Sequence, residues 1–68
     1  MSALTAAQLG IILAGMASRA QERAEYLQAR SQHGFRAAPA AEAVAWTLRS
    51  ILMEGAQQCV KIAQEEAK

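Results

Sequence analysis

The fold of this 68-residue chain is decided by the stretch Gln32-His33-Gly34-Phe35-Arg36-Ala37-Ala38-Pro39, which lies between two long helical patterns. Glycine readily takes the left-handed conformation that ends an α-helix, so Gly34 predicts the end of a first helix, with His33 placed to cap it. Proline needs no amide donor, so Pro39 suits the first position of a second helix. Such a short link predicts an antiparallel pair of helices.

The start of the first helix also has a local signal. Thr5 is followed three residues later by Gln8, which matches a capping box. We therefore expect helix one at about 6–32, a turn at 33–38 and helix two at about 39–66. Residues 1–68 then form a single all-α domain, an antiparallel two-helix hairpin.

The small size of the chain predicts self-association. Domains of this length bury only about 60% of their unfolded surface and often need an additional stabilising device. One cysteine excludes an internal disulfide, and Cys59 with His33 cannot supply the four ligands of a structural zinc site. Because 53% of the residues are apolar, the chain is expected to fold. We expect a homodimeric four-helix bundle.

Each helix has an apolar stripe that is expected to close the hairpin. The stripe of helix one contains Leu9, Ile12, Leu13, Met16, Ala20, Ala24 and Leu27, and that of helix two contains Val44, Leu48, Ile51, Leu52, Gly55, Cys59, Ile62 and Ala63. A turn near 34–39 predicts that the numbers of facing residues sum to about 72. Arg19 is then near Glu54, Arg30 is near Glu42, and Arg23 faces Arg49.

Helix two carries a second apolar seam. Trp46, Met53 and Val60 recur every seven residues, nearly opposite the predicted core stripe, with Arg49 beside them. Tryptophan and methionine are typical of protein interfaces. This seam is predicted to be the homodimer core, with a partner site or a harmless exposed strip as the alternatives.

Arginines form a second predicted partner face on helix one, made of Arg19, Arg23, Tyr26 and Arg30. Internal ion pairs would explain Arg19 and Arg30. Arg23 has no such partner in the predicted hairpin, so either another protein supplies an acid or its long stem carries the charge outward.

Other classes of function find little support in the sequence. The net charge of +1 gives no strong field for nucleic acid, and the apolar segment near the amino end is too short to span a membrane and lacks preceding basic residues. Cys59 is expected in the core, away from His33, so we predict no enzymatic activity, cofactor or metal. A lone reduced cysteine fits the cytoplasm.

The Thr5 cap, the turn from Gly34 to Pro39 and Trp46 beside arginines give the chain a resemblance to small phage-encoded helical inhibitors of host regulators, of the quorum-sensing anti-activator type. This resemblance implies a dimeric inhibitor that acts in the host cytoplasm on a LuxR-type transcription factor. The chain is also similar to the two-helix co-chaperones of type III secretion. That alternative implies a hairpin that holds an apolar export subunit.

Overall fold

The computed structural model describes residues 3–32, 34 and 38–67, and this part of the chain contains two α-helices and no strand. Helix α1 spans Ala6–Gln32 and helix α2 spans Ala38–Glu66, against expected bounds of about 6–32 and 39–66. The helices pack against each other as an antiparallel hairpin, which confirms the predicted all-α fold of the single chain. The predicted cap at His33 lies outside the described residues.

Local signals at the helix ends are confirmed. The Thr5 amide donates to Oε1 of Gln8 at 2.9 Å, and the Gln8 amide donates to Oγ1 of Thr5 at 3.1 Å, which is a complete capping box. Gly34 has a φ of 87°, and its amide donates to the Ser31 carbonyl at 3.1 Å. Pro39 is the second residue of α2 and not the first, but its missing amide is still not needed in the opening turn.

Small side chains form the contact between the two helices. The buried residues are Gly10, Ala17, Ala24 and Leu27 in α1, and Ala38, Ala45, Ala56 and Cys59 in α2. Most of them are three or seven residues apart, a spacing that keeps them on one face of each helix. At Gly10 the helices approach so closely that an added Cβ would lie 3.2 Å from Cβ of Cys59. Cys59 is buried, as expected.

The predicted core stripes were wrong for most of their large side chains. In α2, Val44, Leu48, Ile51 and Ile62 are 44–60% exposed. In α1, Leu9, Ile12 and Met16 are 40–45% exposed. The physical reason is the close approach of the helices, which only the rows of glycine and alanine permit. Both helices are therefore rotated about their axes, and their bulky aliphatic rows lie on the outside of the hairpin.

The predicted register was also wrong. The close pairs Gly10–Cys59 and Leu13–Gly55 have residue numbers that sum to 69 and 68, and not to about 72. Arg49 faces Gln21 and not Arg23: its Nε donates to Oε1 of Gln21 at 3.0 Å. The same sum of about 72 predicts that Arg19 lies near Glu54 and Arg30 near Glu42. The observed close pairs, with sums of 68 and 69, do not support that register.

Two glycines of α1 provide a matched test of this close contact. An added Cβ at Gly15 meets nothing within 4 Å, whereas one at Gly10 meets Cys59 across the hairpin. We expect Gly15→Ala to stabilise the helix by up to about 1 kcal/mol and to raise Tm by about 5 °C. Gly10→Ala gains the same helix propensity but forces the backbones apart, so its Tm should be lower than that of Gly15→Ala in thermal unfolding followed by circular dichroism. An equal rise in both variants would contradict the close contact.

Candidate binding surfaces

The rows of buried residues divide the outside of the hairpin into two broad sides. At 100° per residue, the exposed aliphatic rows of α1 and α2 fall on the same side of the buried rows when the helices are antiparallel. This side, called here the aliphatic side, contains Leu9, Ile12, Met16, Val44, Leu48, Ile51 and Ile62. It has two halves that differ in chemistry.

The half nearer the chain ends is aliphatic on both helices. We define this open-end patch as Leu9, Ile12, Met16, Ile51 and Ile62, all of them at least two-fifths exposed. In the observed register Ile51 is level with position 18 and Ile62 with position 7, so the two rows face the same region of solvent. Several exposed aliphatic side chains on one side of a small protein are typical of an interaction surface.

The half nearer the turn combines positive charge with two apolar side chains. We define this arginine patch as Arg19, Arg23, Tyr26 and Arg30 of α1. In the observed register Val44 and Leu48 of α2 are level with positions 25 and 21 of α1. The Tyr26 ring carries the guanidinium of Arg23 at 5.1 Å and that of Arg30 at 5.8 Å from its centroid. These distances are within the range of cation–π contacts. Three residues of the predicted partner face are thus close together, because Arg23 and Arg30 both contact the ring of Tyr26.

The opposite side of the hairpin holds the predicted tryptophan seam. Trp46 is half-buried against Ala24, Leu27 and Ala45, and its indole Nε1 donates to Oε2 of Glu42 at 3.1 Å. Met53 is also partly buried, whereas Val60 is about half exposed. The seam therefore flanks the helix contact and does not point away from it.

A groove lies along this opposite side, near the chain ends. Its volume is about 790 Å³, and its lining includes Gly10, Ala14 and Ala56 with Ile11, Met53 and Val60 beside them. Two of the three seam residues, Met53 and Val60, thus line the groove, while Trp46 lies nearer the turn. Arg49 is half-buried on Gln21, so its guanidinium is already engaged within the hairpin.

No protein-family model matches this chain, and comparison with curated proteins and with solved structures found no match. The surfaces of the hairpin must therefore be interpreted from their own chemistry.

Groups for catalysis or metal binding are not assembled in the part of the chain that the structure describes. Cys59 is buried in the helix contact, where a nucleophile has no access to substrate. No three His, Cys, Asp or Glu side chains among the described residues cluster closely enough to hold a metal ion. Neither helix, over its described residues, is both long and apolar enough to cross a membrane.

The apolar periodicity of the two helices predicts a core position, and not a surface position, for the residues of the open-end patch. The signal that could have identified it is the row of small residues at heptad spacing, Gly10, Ala17 and Ala24, which is matched in α2 by Ala38, by Ala45 and, two heptads further on, by Cys59. Such a row indicates two helices in close contact. With the alanines assigned to the contact, the large aliphatic side chains must lie outside it.

Proposed function

We propose that this protein is a non-enzymatic binding module that forms a homodimer and, as a dimer, binds and blocks a bacterial regulatory protein. Two hairpins associate through their open-end patches and form a four-helix bundle. The observation that carries the proposal is the distribution of apolar side chains. Within the described residues, Leu27 is the one large side chain in the buried core, whereas the open-end patch exposes five.

The shape of the hairpin supports association. Its Cα atoms extend over 52 × 23 × 12 Å, which is a single layer of two helices, whereas stable domains generally pack two layers. The accessible area is 5275 Å². A compact monomer of this mass would expose about 4,200 Å² on the size scaling of globular proteins. The excess of about 1,100 Å² is more than the roughly 800 Å² that each partner contributes to a standard interface.

Sedimentation equilibrium of the full chain tests the dimer. We expect twice the chain mass at micromolar concentration, because burying an excess of this size stabilises the associated state. On dilution, the loss of helical circular dichroism should parallel the loss of dimer, since the hairpin has little core of its own. A well-folded monomer at micromolar concentration would contradict the proposal.

The partner protein is proposed from the resemblance to phage-encoded inhibitors, which implies a LuxR-type regulator in the bacterial cytoplasm. A helical dimer with two equivalent outer surfaces can block a regulator by covering the surface through which it dimerises or binds DNA. Affinity purification of the tagged chain from a bacterial host tests this partner. Copurification of a transcription regulator supports the proposal, whereas copurification of a secretion subunit would favour the co-chaperone alternative, in which the open-end patch holds an apolar export substrate.

A further inference from the structure

We infer that the groove near the chain ends binds an amphipathic helix of the partner protein, with an acidic residue of that helix beside Lys61. This inference rests on the proposed function and specifies where and how the partner binds. The groove lies on the side of the hairpin opposite the open-end patch. A dimer formed through that patch therefore leaves one groove open on each of its outer sides.

Apolar side chains of the groove stay exposed when the dimer forms. Ile11 is 73% exposed and Val60 is 51% exposed, and neither belongs to the open-end patch. Met53 lies partly buried in the same groove, and methionine adapts its shape to an irregular partner surface. Removing these side chains from water is the main driving force that the groove offers to a partner.

The polarity of the groove restricts the backbone conformation of its ligand. The α1 side of the lining consists of Ala7, Gly10, Ile11 and Ala14, which have no polar side chain. Inside a helix the backbone amides and carbonyls are already paired with one another. An extended ligand would leave its own amides and carbonyls unpaired along this side, which costs free energy. A helix pairs those groups internally, and helices commonly bind to grooves through an apolar stripe.

The length of the groove matches a few helical turns. Its lining extends over residues 7–14 of α1 and 53–67 of α2, which correspond to about 10 and 21 Å along the two helix axes. A helix that packs lengthwise with apolar side chains at positions i, i+4, i+7 and i+11 spans about 16 Å. The expected ligand therefore has an apolar stripe of about three turns.

The α2 rim of the groove defines the polar flank of the ligand. Gln57, Lys61 and Gln64 are exposed and line the groove at four- and three-residue steps, on the outer side of Val60. Among the described lining residues, Lys61 is the one charged side chain, so its electrostatic complement in the ligand is a carboxylate. Glu65 lies one helical turn from Lys61, but an exposed pair at this spacing is weak. The ammonium group of Lys61 therefore stays available to a partner.

Other occupants fit the groove less well. In the proposed bundle the open-end patches cover each other, so a second copy has no aliphatic row near its chain ends to place in the groove. A fatty acid would match the lysine, but pockets for small molecules bury most of the ligand. A groove flanked by side chains as exposed as Ile11 and Val60 does not enclose a ligand. A helix suits an open groove because its polar face remains in water.

Two synthetic peptides of equal composition test the inference on the full-length protein. The striped peptide is a helix of about 18 residues with leucines at positions i, i+4, i+7 and i+11 and two glutamates on one flank of this stripe. The scrambled peptide contains the same residues in an order without the stripe. We expect fluorescence anisotropy to show at least about tenfold tighter binding of the striped peptide. Equal affinity of the two peptides, or no binding of either, would overturn the inference.

A matched pair of variants in α1 identifies the surface that the peptide uses. Ala14 and Ala29 are both exposed and lie about 22 Å apart along the helix, and Ala14 lines the groove whereas Ala29 does not. Ala14→Glu places a carboxylate in the apolar groove and should weaken binding of the striped peptide at least about tenfold. Ala29→Glu makes the same change and should leave the affinity unchanged. Equal effects of the two variants would show that the peptide binds elsewhere.

Lys61→Gln tests the acidic flank of the ligand. This variant should weaken the striped peptide about threefold, since an exposed ion pair contributes little, and should not affect a version with glutamines in place of its glutamates. Arg23→Gln removes the same charge from an exposed residue outside the groove and should change neither affinity. If both variants weakened the striped peptide equally, attraction by net charge would replace the contact with Lys61.

Failure of this inference can be distinguished from failure of the proposed function. Ala14 lies outside the open-end patch, so Ala14→Glu should keep the sedimentation and circular dichroism of the parent chain. A dimer that binds neither peptide overturns the groove partner alone. A monomer that binds the striped peptide, and loses it in Ala14→Glu, overturns the dimer and keeps the groove as a binding site. Assemblies larger than a dimer that Ala14→Glu reduces to dimers would identify a second copy as the occupant and overturn the inference.

Discussion

Replacing Ile12 by lysine is expected to dissociate the dimer and, at micromolar concentration, to unfold most of the chain. Ile12 lies in the middle of the open-end patch and is 45% exposed in the single hairpin. Burying an isoleucine stabilises an interface by about 1.5–3 kcal/mol, and a symmetric dimer loses two such contacts. The dissociation constant of the dimer should therefore rise at least about 100-fold. Sedimentation equilibrium at several concentrations measures this constant.

Its neighbour in sequence is the matched control. Ile11 is 73% exposed and lies on the opposite side of the hairpin, beside the groove. Ile11→Lys makes the same chemical change one position away, with the same loss of helix propensity. We expect this variant to remain dimeric and helical. If Ile11→Lys dissociated the dimer while Ile12→Lys left it dimeric, the dimer contact would lie on the groove side instead.

The second large effect is expected inside the hairpin, for Leu27→Ala. Leu27 is 7% exposed and packs with Ala24 and Ala45, with Trp46 against the cluster. Removing a buried leucine side chain costs about 2–5 kcal/mol. A domain of this size has only about 3–10 kcal/mol of stability in total. Tm should therefore fall by about 10 °C or more in thermal unfolding followed by circular dichroism.

Leu4→Ala is the control for this variant. Leu4 is 61% exposed and precedes α1, so the same truncation should change Tm by only a few degrees. The Leu27 variant should also unfold at a lower urea concentration. If both variants had the Tm of the parent chain, the packed cluster around Ala24 and Ala45 would not contribute to stability.

The helices and the turn could be predicted from the sequence because their signals are local. The capping box depends on Thr5 and Gln8 alone, and the left-handed end of the turn depends on Gly34 alone. Such signals act over a few residues, and no distant part of the chain has to be placed first. The observed start of α2 differs from the expected one by a single residue, at Ala38.

The faces of the helices could not be predicted in the same way. An apolar stripe indicates the direction in which a helix is most hydrophobic, and for α1 this direction lies near Met16. A hairpin of two long helices instead selects the faces that permit the closest approach, since many small contacts then form along the whole length. Ala17 and Ala24 contribute little to hydrophobicity but make that approach possible. The observed outer surface therefore includes residues that were predicted in the core. Ile12, for example, is predicted in the core but lies in the proposed dimer contact.

The hydrogen bond from Arg49 to Gln21 has a consequence for lengthwise sliding of the helices. Large interlocking side chains oppose such sliding, but methyl groups and hydrogen atoms protrude too little to do so strongly. Among the described residues this bond, at 3.0 Å, is the one side-chain hydrogen bond that joins α1 to α2. A shift by one helical turn, about 5.4 Å, would break it. Together with the packing of Leu27 on Ala45, Arg49 therefore favours one lengthwise position among several that the alanine rows alone would tolerate.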